Sequence, residues 1–141
     1  MTPTLLGRWQ TRLLLLATVG VLATLPFAIA SATIQVALIF FSILGYVAVF
    51  GIGWDCLYNF LQTFRWDRDW PAAFQLAAGI WEGIFLSIVL KTIGLPGIDR
   101  SIPLGLFWLH YSLVWLAVFT ASQTFMRVIF PRWRFRGGQW L

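Results

Sequence analysis

The chain has 141 residues, 60% hydrophobic, 18% aromatic and only 11% charged, with ten Lys and Arg against five Asp and Glu for a net charge of +5. A soluble domain of this length must show water a large shell that needs charge, so a water-soluble enzyme is excluded. One cysteine, Cys56, and one histidine, His110, also exclude a disulfide framework and a zinc or iron–sulfur centre built from this chain alone.

Arg8 and Arg12 open the chain, and from Leu13 to Trp54 no charged residue occurs over 42 positions. A helix needs only about 20 apolar residues to cross a hydrocarbon core of about 30 Å, so this run is two spans. The division falls between Pro26 and Thr33, giving spans over 13–31 and 33–54 joined as a tight hairpin. Arg8, Arg12, the apolar stretch and Ala28-Ile29-Ala30 also match the layout of a cleavable signal peptide. Cleavage after Ala30 would place the new N-terminus two or three residues from the next span, so the sequence favours retention of the first helix.

Beyond Trp54, residues Cys56, Leu57, Phe60, Leu61 and Phe64 recur at helical spacing, so helix two continues past the membrane boundary or bends into an interfacial helix. The loop Arg65-Trp66-Asp67-Arg68-Asp69-Trp70 then alternates charge and closes with aromatic residues. It reads as a neutralised turn at headgroup level and as a candidate docking loop. Catalysis on a lipid or quinone would require Asp55, Asp67 and Asp69 to converge.

A third span covers 71–93, with Pro71 in its first turn, where the missing N–H is harmless. It carries Glu82 near its middle and Lys91 near its end. A charged side chain at the bilayer centre costs about 2.5–3.5 kcal/mol on insertion scales, so it is normally paired, protonated or turned to a polar cavity. Gln75, Gly79, Glu82 and Gly83 share one helical face, which makes Gln75, Gly79 and Gly83 a candidate helix-packing face.

The fourth span covers 102–126 and contains His110. Counting helical rise from the shared outer ends puts Glu82 and His110 within about 5 Å in depth, a candidate intramembrane polar pair. A lone imidazole can ligate a haem, but nothing else marks a macrocycle pocket, and no cofactor or metal is expected. Small multidrug transporters resemble this chain in four-helix size and a single membrane-embedded Glu. Theirs lies in the first helix, so the likeness is one of architecture.

The basic tail 127–141 alternates Arg132-Trp133-Arg134-Phe135-Arg136 after Pro131, and with Arg127 it offers a clamp for anionic lipids. Nucleic-acid binding is not expected from five such residues held against a membrane. Arg8, Arg12, Arg65, Arg68 and the four tail arginines set eight basic groups on one face against Lys91 and Arg100 on the other. The positive-inside rule then makes both termini cytoplasmic. Trp9, Trp54, Trp66, Trp70, Trp133 and Trp140 fall at or beyond span ends, as an interfacial belt requires.

The expectation is therefore an all-α membrane protein, a four-helix bundle of the bacterial inner-membrane type forming one domain. Its anticipated role is a non-catalytic accessory, assembly or scaffold subunit contacting lipids and other subunits or copies of itself. The alternative is a small proton-coupled transporter or channel using Glu82, with or without His110.

Overall fold

The computed structural model describes residues 8–64 and 72–129. Described residues outside helices form short connections, because a bilayer supplies no water to satisfy open backbone groups. The first span, Trp9–Ile29, is built from α1 (Arg8–Leu15), a π-helical turn (Leu16–Gly20) and α2 (Val21–Ile29). The wide turn displaces the normal i→i−4 ladder, and hydroxyls support carbonyls on either side of it. Thr18 Oγ1 donates to Leu14 O at 2.7 Å and Thr24 Oγ1 to Gly20 O at 2.8 Å. Pro26 lies inside this helix, which runs on to Ile29.

Thr33, in an extended conformation, then caps α3 (Ile34–Gln62) by accepting from the Val36 N–H. At 29 residues α3 is about 43 Å long, and it runs past Trp54 without a break, the first of the two courses that the apolar spacing allows. The apolar register continues past Asp55, and the helix follows the register rather than stopping at the first charge. Trp54 consequently lies within a helix, stacked on Tyr58 and edge-on to Trp81 and Phe85, rather than at a span end.

The third span is α4 (Ala72–Thr92) and the fourth is α5 (Leu104–Gln123), followed by the short α6 (Phe125–Ile129). All four spans are long and apolar enough to cross a membrane, and the chain is an all-α four-helix membrane bundle. Helix α4 ends where Gly94 takes φ = 80° and returns its N–H to Val89 O at 3.0 Å, a closure that strongly favours glycine. Residues 93–103 then fold back over the bundle. Ile98 and Ile102 are buried in one cluster with Ile43, Leu86, Leu90 and Phe107, and Tyr46 on α3 donates to Pro96 O at 2.8 Å.

Lys91, read in sequence as a charge bordering the outer face, staples this loop: its Nζ donates to Arg100 O and Ile102 O, both at 2.6 Å. Arg100 reaches back to Ile93 O. The Ser101 N–H donates to Asp99 Oδ1 at 2.9 Å and holds that carboxyl below its ordinary range.

Each span packs on two neighbours. The first span lies against α3 and α5, and α4 lies against the same two helices. The first span and α4 therefore face each other across the bundle axis. Lys91→Met is expected to lower stability by about 1–2 kcal/mol and to speed amide exchange in residues 95–102. Unchanged exchange there would remove the stapling role.

Candidate functional site

The polar centre of the bundle is built around Arg12, a residue the charge pattern assigns to the membrane surface. It lies inside the first span, and its side chain is 19% exposed, against 3% for Asp55 and 9% for Glu82. Arg12 Nε and Nη2 donate to Asp55 Oδ2 and Oδ1, both at 2.8 Å. Nη1 and Nη2 donate to Glu82 Oε2 and Oε1 at 2.7 and 3.0 Å. One planar fork thus satisfies two carboxylates, with four of its five N–H donors engaged. Lysine has no such geometry.

Local sequence makes room for the fork. A Cβ on Gly51 would lie 2.6 Å from both Cδ and Nη1 of Arg12, so the absence of a side chain at that turn of α3 admits the arginine. Asp55 follows Gly51 by one helical turn and points to the same face. Read from sequence as part of a loop, Asp55 is a buried residue of α3, while Asp67 and Asp69 lie outside the described residues.

Glu82 does not pair with His110 as the depth estimate anticipates. Its carboxylate is on Arg12, and His110 Nε2 is 3.0 Å from Thr24 Oγ1. The Thr24 hydroxyl has one hydrogen, and with that hydrogen donated to Gly20 O the imidazole must carry its proton on Nε2. His110 is 1% exposed, packs against the rings of Phe27 and Phe40, which also touch each other, and has no hydrogen-bond partner for Nδ1 among the described residues.

The Gly79 and Gly83 face receives aromatic rings from α5. A Cβ on Gly79 would meet Trp115 Nε1 at 1.8 Å, and one on Gly83 would meet Tyr111 Cε1 at 2.6 Å and Trp108 Cη2 at 2.8 Å. Tyr111 also donates to Gly79 O at 2.6 Å. Gln75, near the start of α4, donates to Ser122 Oγ at 3.2 Å and accepts from Gln123 Nε2 at 3.0 Å near the end of α5.

These groups surround a cavity of about 110 Å³ lined from all four spans. Thr11, Arg12, Asp55, Tyr58, Gln75, Glu82, His110, Tyr111 and Ser122 belong to its polar wall, and Leu15, Leu16, Leu44, Val47, Val114 and Val118 form much of the rest. Glu82 and His110 share the cavity without sharing a bond. Among the described residues, no three His, Cys, Asp or Glu side chains gather as a metal site.

Arg65, Trp66, Asp67, Arg68, Asp69 and Trp70 of the anticipated docking loop lie outside the described residues, as do Arg132, Arg134 and Arg136 of the lipid clamp; Arg127 falls in α6. Arg12 and Thr24 are site residues that sequence reasoning missed, and Asp55 was weighed only together with Asp67 and Asp69. The signal for Arg12 and Asp55 was a pair of opposite charges near span ends that antiparallel helices bring to one level. No protein-family model, curated protein or solved structure matches the chain.

Breaking a buried ion pair by removing one partner leaves an uncompensated charge, at a cost of about 3–5 kcal/mol. Arg12→Ala is expected to lose that much, and Arg12→Lys a large part of it. The triple change Arg12→Met, Asp55→Asn, Glu82→Gln should regain most of the loss. Unfolding in detergent followed by circular dichroism measures each, and native stability in Arg12→Lys would contradict the bridging role. Gly79→Ala, which displaces the Trp115 ring, should cost about 1–3 kcal/mol in the same measurement.

Proposed function

We propose that the protein is a small proton-linked membrane carrier, with Glu82 and Asp55 as the proton-exchanging groups and Arg12 as the cation that holds whichever carboxylate is ionised. The observation that carries this reading is a single guanidinium bridging two carboxylates at the wall of a cavity lined by all four spans. A bundle shaped only for packing gains nothing from a cavity at its most expensive polar group. With both carboxylates ionised, Arg12 leaves one negative charge uncompensated, and protonating either carboxylate neutralises the cluster. Tyr58 from α3 and Tyr111 and His110 from α5 are the other titratable groups on this wall, and His110 Nδ1 has no hydrogen-bond partner among the described residues.

In this reading the membrane is a bacterial-type plasma membrane with both termini cytoplasmic, as the distribution of basic residues favours. The chain performs no covalent chemistry. In proteoliposomes the wild type should dissipate an imposed pH gradient, and Glu82→Gln should slow that dissipation at least tenfold. Unchanged flux in Glu82→Gln would overturn the reading.

A second reading, an accessory or scaffold subunit, is favoured by one feature of α3. Gly45 and Gly53 have nothing within 4 Å of a Cβ position, and between them Val49 is 65% exposed. Such a face lets a helix of another subunit, or of a second copy, approach closely within the lipid. Gly45→Leu with Gly53→Leu should then shift the native mass in mild detergent to the monomer. A wild type that is already monomeric and partner-free removes this reading.

A further inference from the structure

The cavity beside Arg12 carries a further step, which rests on reading it as a loaded site rather than a packing defect. We propose that it binds a small organic monocation, an alkylammonium with a short hydrocarbon tail of about four carbons. Charge sets the sign of the ligand. Arg12 is already held by two carboxylates, so an anion would have to displace one of them inside the bundle, whereas a monocation completes neutrality. Acceptor capacity also exceeds what the guanidinium uses: each carboxylate has about four lone-pair sites, and Arg12 fills two on each.

The wall sets the kind of cation. A bare metal ion such as sodium or calcium needs some six oxygen ligands in a shell around it. Here the polar groups stand beside Leu15, Leu44, Val114 and Val118, which suit a hydrocarbon tail and cannot coordinate a metal. The ring of Trp115, laid over Gly79, adds an aromatic surface of the kind that ammonium groups favour. Volume sets the size: an apolar cavity of about 150 Å³ holds benzene, so about 110 Å³ accommodates roughly five non-hydrogen atoms.

The test is equilibrium binding to the purified full-length chain in detergent, read by ligand-observed saturation-transfer NMR. n-Butylammonium should bind saturably, butyrate of the same size should not, and octylammonium should bind more weakly. Glu82→Gln and Asp55→Asn should each lower butylammonium affinity at least tenfold. Ala78→Leu, which leaves the charges in place and fills the cavity, should weaken butylammonium more than methylammonium. Equal binding of butylammonium and butyrate, affinity that rises steadily with chain length, or indifference to all three variants would each overturn the proposal, marking partition into apolar surface or a cavity holding water only. Proton flux that needs Glu82 without butylammonium binding would sink this inference and leave the carrier reading standing. Saturable binding without flux would do the reverse.

Discussion

Everything at the centre of this bundle depends on one guanidinium held by two carboxylates from different helices. Arg12 joins the first span to α3 through Asp55 and, across the bundle axis, to α4 through Glu82. The first span and α4 do not pack directly on each other to any extent, so the arginine makes the tie that helix packing leaves out. Lipid makes this tie consequential. A charged group facing hydrocarbon is penalised by a few kcal/mol, so a change that rotated any of the three helices outward would expose a charge. The cluster therefore fixes helix rotation as well as helix proximity, and Gly51 is the backbone feature that lets the fork lie flat against α3.

Around that tie the bundle uses two different packing solutions. On the side where α4 meets α5, glycines at one turn's spacing accept the rings of Trp115, Tyr111 and Trp108, so large side chains from one helix fill the space that small residues on the other leave open. At the far end, packing is completed by the loop between these helices, whose Ile98 and Ile102 enter the core while Lys91 satisfies its carbonyls. The aromatic side of this packing forms one wall of the space beside Arg12 without filling it, and the cavity lies there.

The four spans and their antiparallel order were legible in the sequence, because a charge-free run twice the membrane thickness and two further apolar segments admit few other arrangements. Span ends were not. The second span was bounded at Trp54, just before the first charge, and the spacing of Leu57, Phe60 and Leu61 left open whether the helix continued or bent there; it reaches Gln62 unbroken. The same habit assigned Arg12 and Asp55 to the surface. Each is separately an ordinary boundary charge, and only their meeting, across 43 residues of chain, makes them interior groups. Glu82 was identified as an inward-facing polar group, but its partner was sought in the imidazole at similar depth; the long reach of an arginine near a helix end was the alternative that depth counting undervalued.

A buried ion pair is poor evidence for stability, since apolar side chains of similar volume often hold a fold equally well or better. The cost is greater with three charges than with two, because an arginine with one carboxylate would already be neutral and the second carboxylate adds a desolvation penalty without a second cation. Arg12 and Glu82 alone would tie the first span to α4. Asp55 adds the tie to α3, and with it a negative charge that Arg12 alone does not balance. Asp55 lies 3% exposed at the side-chain level, on the same wall as an imidazole whose Nδ1 has no partner among the described residues and beside space that apolar side chains leave open. In the carrier reading proposed above, a surplus carboxylate and unfilled volume in one place are individually costly, and a single bound or exchanging positive charge offsets the first while occupying the second.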